Sequence, residues 1–341
     1  MENEFNYRNN KKRTLKPWQG ILLFLLVMLS YYTIITWVQL RFGMFGLALT
    51  EAYLLLLSVG FAVLCKANLR EVFPLKKPNW MGILGTLLLW AGSYSLLIPI
   101  TMTITYFFPR QMYAVSGSLN DTLNSVPLFL TVLIAAVMPA ICEEALHRGV
   151  ILHSMKSLKK DWLIVLVMGI LFGLFHGNIW RFLPTALLGG ALSYLMLKTE
   201  NMVYPALFHF TNNFLPSLLS LLLALSGTNN DVSAETMTYL MENGIPLATL
   251  GIYVAMGCAA PFALYTAAYL IKRSQGRKTP YFPKKSQPLR ITALVLLTML
   301  PLITGGLLFI YGLLYDNNLW NYMNQIQGSD NPLLHYFFSI Q

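Results

Sequence analysis

Apolar residues occur along this chain in long blocks. Within a block, apolar and polar positions do not alternate from residue to residue. Nine such blocks lie near residues 18–40, 45–65, 81–107, 127–152, 161–178, 183–197, 201–226, 246–271 and 291–315. Blocks of about 20 apolar residues are long enough to cross a bilayer as helices, whereas the strands of membrane barrels are shorter and alternate. The pattern predicts an all-α, polytopic transmembrane helix bundle of about nine spans. The block at 183–197 is short for a full crossing.

Charged residues are few, at 11%, and the basic ones lie mainly between the apolar blocks. With the N-terminus in the cytoplasm, all Lys and Arg residues fall on the cytoplasmic side except Arg41, Arg110, Arg148 and Arg181. This asymmetry follows the positive-inside rule and predicts a cytoplasmic N-terminus and an outer C-terminus. The same topology explains the net charge of +10 without a nucleic-acid partner.

Ionisable residues inside the apolar blocks mark candidate functional positions, because each is costly within a bilayer. The fourth block carries Glu143, Glu144 and Arg148. Adjacent helical residues point about 100° apart, so the two glutamates cannot face the same partner. Glu144 and Arg148 share a face and can pair, which leaves Glu143 for a cavity, where a carboxylate suits a general base. The alternative is that both acids anchor a helix end.

The fifth and seventh blocks each place a histidine one helical turn from a second notable residue. Phe172 and His176 share one face of their helix, and His209 and Asn213 share a face of theirs. Beside the first pair lies a row of small residues, Gly169, Gly173 and Gly177. Such a row would let another helix approach closely. At about 1.5 Å per residue, Glu143, His176 and His209 lie roughly 16 to 22 Å from the cytoplasmic ends of their helices. For either histidine alone, an ordinary structural hydrogen bond is the alternative.

Other polar residues in or near the blocks are interpreted as structural. Glu144 and His147 have the E-x-x-H spacing of carboxylate di-metal bundles, but such sites need two pairs and this chain has one. Glu51 lies near the outer end of the second block and is predicted to be interfacial. His153 and His335 lie near a helix end and in the tail, and we expect no chemistry from them.

The three polar clusters together resemble the CPBP family of intramembrane proteases. The matching motifs are EExxxR at Glu143, Glu144 and Arg148, FxxxH at Phe172 and His176, and HxxxN at His209 and Asn213. That family includes the type II CAAX prenyl endopeptidases and bacterial bacteriocin-immunity homologues. The resemblance covers about residues 125–225, and no motif position departs from the family pattern.

The resemblance implies a role for each motif residue. Glu143 and His176 would bind and activate a water molecule, and His209 and Asn213 would stabilise the oxyanion. Glu144 and Arg148 would position the first pair. The family is often named as metalloproteases, and Glu143, His176 and His209 could hold Zn²⁺ with one open position. A Glu–His pair can also activate water without metal, so the sequence leaves both mechanisms open.

These inferences together predict a multi-pass protein of the plasma membrane. The regions expected are a basic cytoplasmic segment at 1–17, transmembrane helices at 18–124, a catalytic core at 125–226, further transmembrane helices at 227–315 and an outer tail at 316–341. The expected function is that of an intramembrane endopeptidase, whose partners are the lipid bilayer and a membrane-associated peptide or protein. The alternatives are a non-catalytic immunity or scaffold protein that kept the fold, and a transporter with a proton relay.

Overall fold

The computed structural model describes residues 14–123, 125–225 and 234–327. These residues form helices joined by short turns, with no strand among them, which confirms the all-α prediction for this part of the chain. Most of the predicted basic N-terminal segment, much of the predicted outer tail and His335 lie outside the described residues. The helices of ten residues or more, in chain order, are α1 Pro17–Leu64, α2 Trp80–Phe107, α3 Pro109–Leu123, α4 Leu128–Leu158, α5 Asp161–Phe175, α6 Ile179–Thr199, α7 Val203–Leu225, α8 Ala234–Asn243, α9 Leu247–Ser274, α10 Lys284–Tyr315 and α11 Asn317–Gln327.

Five of these helices, α1, α2, α4, α9 and α10, are long and apolar enough to cross a membrane. Helix α5 is a shorter apolar helix of 15 residues. The helix that contains the short apolar block at 183–197 extends beyond that block, since α6 has 21 residues. The chain is therefore a membrane protein with several spanning helices, while the number nine and the orientation of the N-terminus stay predictions.

Helix α1 contains two of the predicted blocks and folds back on itself between them. Gly43 interrupts the helix with a φ of 53°, a conformation that favours glycine. The hydroxyl groups of Ser30 and Tyr53 lie 2.7 Å apart, and Gln39 Nε2 donates to Thr50 Oγ1 at 3.1 Å. In a straight helix Ser30 and Tyr53 would be about 35 Å apart. The residues before and after Gly43 therefore form two arms of a helical hairpin.

The described structure divides into two compact units. Counting only the described residues, the first comprises those up to Ser93, within Leu119–Leu222 and within Ala263–Pro283, and the second comprises those within Tyr94–Ser118, within Leu223–Phe262 and from Lys284 onward. In the first unit, buried apolar residues of α1, α4 and α5 form a common core that includes Leu23, Val27, Leu54, Leu146, Val150 and Met168.

Small residues bring α5 and α6 into close contact in the first unit. A Cβ atom added at Gly169 would lie 2.7 Å from the carbonyl oxygen of Ala186, and one added at Gly173 would lie 2.8 Å from that of Phe182. The predicted row of small residues therefore does allow a close helix approach. Gly177 is not part of this contact, because it lies beyond the end of α5 with a φ of 62°.

The second unit also packs two helices through glycines. Gly251 of α9 and Gly305 of α10 face each other so closely that an added Cβ would lie about 2.5 Å from backbone atoms of the other helix. At one end of this pair, Asp316 accepts hydrogen bonds from the backbone N–H groups of Leu247 and Asn318, at 2.6 and 3.0 Å.

Candidate active site

Helix α4 buries the first motif, and Glu144 and Arg148 are completely buried. Arg148 Nη1 donates to Glu144 Oε1 at 3.0 Å, and Arg148 Nη2 donates to the carbonyl oxygen of Gly189 on α6 at 3.1 Å. The guanidinium carbon lies 4.5 Å from the centre of the Phe172 ring. Arg148 sits in a π-helical stretch, Ala145–Ile151, a type of distortion that often occurs at functional sites. The Glu144–Arg148 pair predicted from spacing is thus present and has no exposed surface.

His209 of α7 joins this ion pair from another helix. Its Nδ1 lies 2.8 Å from Glu144 Oε1, the same oxygen that accepts from Arg148. Because the carboxylate is an acceptor, Nδ1 carries the proton of this hydrogen bond. His209 Nε2 then faces the other glutamate, 4.0 Å from Glu143 Oε2. His209 therefore lies between the two adjacent carboxylates of α4.

His176 lies at the more open end of the site. It follows the last residue of α5, and its Nδ1 is 2.8 Å from the carbonyl oxygen of Phe172, one turn earlier. The rings of His176 and His209 both contact the Phe172 ring edge-on, with centroid distances of 4.9 and 5.9 Å. Since His176 is partly exposed while Glu144 is fully buried, the site is closed on the ion-pair side and accessible on the His176 side.

Asn213 connects α7 to α4. Its Nδ2 donates to the carbonyl oxygen of Ala135 at 3.0 Å, and its Oδ1 accepts from Asn212 Nδ2 at 3.1 Å. Asn213 therefore holds the two helices together one turn away from His209, and a role in oxyanion binding stays a prediction.

The structure brings the three motifs together in the first unit, although the pairs differ from those expected. Glu144, Arg148 and His209 are in direct contact, and Glu143 faces His209. His176 contacts the same Phe172 ring, and no hydrogen bond between His176 and Glu143 is present among the described residues. The residues scattered over α4, α5 and α7 thus converge, while their individual catalytic roles stay predictions.

Glu51 belongs to this site, and its prediction as an interfacial residue is wrong. The side chain lies on the second arm of α1 with only 2% of the residue exposed, and it interacts electrostatically with Glu143 and Cys142. Its Oε2 has no hydrogen-bond partner among the residues the structure describes. The hairpin at Gly43 turns this arm against α4, which the sequence did not reveal. The available signal was an acidic residue inside an apolar block.

His147 packs in the interior next to the site, and its interpretation as a structural residue stays a prediction. It is completely buried, with its Nδ1 3.0 Å from the carbonyl oxygen of Glu143, and its ring packs edge-on against Phe172 and Phe175 at 5.0 and 4.8 Å. Its position fixes the aromatic pair next to the site.

The set of Glu143, His176 and His209 does not fit Zn²⁺ as these side chains are arranged. Among the described residues, no three His, Cys, Asp or Glu side chains are grouped so that they could hold a metal ion. We therefore derive no step through a metal.

The family comparison covers the same part of the chain. Residues 125–215 match the family model described as Type II CAAX prenyl endopeptidase Rce1-like. This segment contains all six predicted site residues, from Glu143 to Asn213. No curated protein and no solved structure matches the chain. The family prediction from the three motifs is confirmed for this segment: residues 125–215 belong to the Rce1-like type II CAAX prenyl endopeptidase family.

Proposed function

We propose that this protein is an intramembrane endopeptidase that hydrolyses a peptide bond in a membrane-associated peptide or protein at the plasma membrane. The observation that supports this proposal most strongly is the position of Glu143. Its Oε2 is buried, has no hydrogen-bond partner among the described residues, and faces His209 Nε2 across 4.0 Å. A water molecule can bridge polar atoms at such a separation.

In the proposed reaction Glu143 acts as the general base, with His176 as its partner at the accessible side. The water oxygen forms a bond to the carbonyl carbon, its proton passes to the Glu143 carboxylate, and the carbonyl π electrons move to oxygen as an oxyanion. When the tetrahedral intermediate collapses, the C–N bond breaks and the leaving amine takes the proton from Glu143. The result is one carboxylic acid and one amine.

His209 and Asn213 stabilise the oxyanion in this proposal, and Glu144 with Arg148 orients His209. Because His209 Nδ1 donates to Glu144, Nε2 can donate to an oxyanion only when the ring is the imidazolium. The buried Glu144–Arg148 pair fixes the ring so that Nε2 points toward Glu143. Preorganised donors of this kind contribute most in a site that excludes water.

The test is cleavage by the purified full-length protein in lipid vesicles. The probes are two fluorescence-quenched peptides. One carries a farnesylated cysteine followed by three C-terminal residues, and the other lacks the lipid. We expect cleavage by the native protein, loss of cleavage in Glu143→Gln and His176→Ala, and native rates in the control Glu242→Gln, an exposed carboxylate of the second unit. If both site variants insert normally and keep the full biological effect in the host, the protein is a non-catalytic immunity or scaffold protein instead.

A further inference from the structure

A tight turn after α5 places a second arginine close to His176. Gly177 has a φ of 62°, which is typical of the residue after a helix end, and its N–H donates to the carbonyl oxygen of Leu174 at 3.0 Å. Asn178 then starts α6 by accepting a hydrogen bond from the backbone N–H of Trp180 at 2.9 Å. The chain reverses within these residues, so Arg181 in the first turn of α6 interacts electrostatically with His176.

The first arm of α1 covers this turn with a tyrosine. A Cβ atom added at Gly177 would lie 3.4 Å from Tyr31 Cε1, so the tyrosine ring is in contact with the turn. The Tyr31 ring also lies 6.4 Å from the ring of Phe175, measured between centroids. Tyr31 begins a π-helical stretch, Tyr31–Ile35, within α1. Tyr31 comes from a part of the chain that the family match does not include.

Arg181 and Tyr31 interact electrostatically with each other and with Glu143. The ion pairs formed by the described residues do not include Arg181, so no carboxylate among them lies within 4.0 Å of its guanidinium group. Arg148 differs, because Glu144 neutralises it at 3.0 Å. Arg181 thus has no close counter-charge among the described residues and interacts electrostatically with the proposed catalytic carboxylate. Such a cation is suited to bind an anion that arrives with the substrate.

We propose that Arg181 and Tyr31 form an anion site that holds a negatively charged oxygen of the peptide substrate next to Glu143. This inference rests on the proposed peptidase function. The oxygen is either the oxyanion of the tetrahedral intermediate or the C-terminal carboxylate of a substrate cut near its end. In both cases the guanidinium N–H groups and the phenol O–H donate to it.

The experiment compares native protein with Arg181→Gln, Arg181→Lys and Tyr31→Phe in lipid vesicles. The probes are the farnesylated peptide with a free C-terminal carboxylate and the same peptide with a C-terminal amide. Arg110→Gln is the matched control, because this arginine is exposed and belongs to the second unit. Thermal unfolding of each variant identifies any loss of cleavage activity that comes from misfolding.

We expect Arg181→Gln to lower kcat/KM by about 10²-fold, as the removal of one oxyanion donor does, with partial recovery in Arg181→Lys and a smaller loss in Tyr31→Phe. An equal fall in kcat for both peptides identifies the oxyanion as the bound oxygen. A rise in KM confined to the free-carboxylate peptide identifies the terminal carboxylate. If folded Arg181→Gln cleaves both peptides within twofold of the native rate, the anion site is refuted while the peptidase function stands.

A binding measurement separates the two proposals if the native protein cleaves neither peptide. Fluorescence anisotropy then reports the affinity of the free-carboxylate and amide peptides for native protein and Arg181→Gln. Tighter binding of the carboxylate peptide that disappears in Arg181→Gln supports the anion site without catalysis. Equal affinities in both proteins overturn it.

Discussion

The two units of this protein pack their helices in the same way but differ in what they bury. In the first unit Gly169 and Gly173 bring α5 onto α6, and in the second Gly251 and Gly305 bring α9 onto α10. Yet every buried histidine or charged side chain among the described residues belongs to the first unit, namely Glu51, Glu143, Glu144, His147, Arg148 and His209. Close helix packing therefore occurs in both units, whereas buried ionisable groups distinguish the unit to which we assign the proposed chemistry.

Removal of the Glu143 carboxylate should produce the largest difference in cleavage rate between matched substitutions in the two units. Glu143→Gln keeps the size of the side chain but removes the proposed base, so we expect cleavage to fall by about 10²–10⁴-fold. Steady-state rates in vesicles measure the change. The same exchange at the exposed Glu242 of the second unit should leave the rate within twofold, and similar losses at both positions would contradict the assignment of the chemistry to the first unit.

Breaking the buried ion pair should cost stability as well as activity. Arg148→Met leaves Glu144 with a buried charge that its main partner no longer neutralises, so we expect a loss of about 3–5 kcal/mol in unfolding free energy. Thermal or denaturant unfolding in detergent measures it. In the second unit Arg110→Met removes only a 4.0 Å contact between exposed side chains and should change stability by less than about 1 kcal/mol. Equal costs at the two positions would argue against a buried pair.

Matched glycine substitutions should separate packing from function. A Cβ at Gly189 would lie 2.5 Å from Phe172 Cβ, and one at Gly305 would lie 2.4 Å from Ala255 N. We expect Gly189→Ala and Gly305→Ala each to destabilise the protein by about 1–3 kcal/mol. Only Gly189→Ala should also reduce cleavage of the folded fraction, because it displaces Phe172 and the carbonyl that accepts from Arg148. A comparable reduction in folded Gly305→Ala would count against this separation.

Glu51→Gln should have a modest effect on catalysis. Glu51 interacts with Glu143 electrostatically, and no hydrogen bond between the two carboxyl groups is present among the described contacts. We expect the variant to remain folded. Its cleavage rate should stay within about tenfold of native and well above that of Glu143→Gln, because a neighbouring carboxylate without a hydrogen bond to the base acts only through its charge. A loss as large as that of Glu143→Gln would instead make Glu51 a direct participant in the reaction.

Metal chelation should have the smallest effect. Because Glu143, His176 and His209 are not grouped to hold a metal ion, we expect a chelator to change the cleavage rate by less than about twofold. Loss of activity with chelator, restored by added Zn²⁺, would show that these side chains rearrange around a metal and would require a different mechanism.

Local patterns in the amino-acid sequence were sufficient for the helices, for the membrane class and for the identity of the six motif residues. The length of an apolar run and a spacing of four residues are properties of one helix, so they can be read without knowing its neighbours. The Glu144–Arg148 pair is an example, since both residues lie on α4. The two apolar blocks on either side of Gly43 were visible in the same way, and the structure shows that they form the two arms of α1.

Contacts between distant parts of the chain depended on the tertiary fold. His209 bonds to Glu144 across 65 residues, although its motif suggested only an oxyanion role. Glu51, Tyr31 and Arg181 interact electrostatically with Glu143, since the hairpin of α1 and the turn at Gly177 bring distant parts of the chain to the same region. Helical periodicity sets which face a residue occupies, but burial of apolar surface between helices decides which faces meet. For that reason the sequence could name the buried polar groups of the motifs, while their partners followed from the packing of α1, α4, α5, α6 and α7.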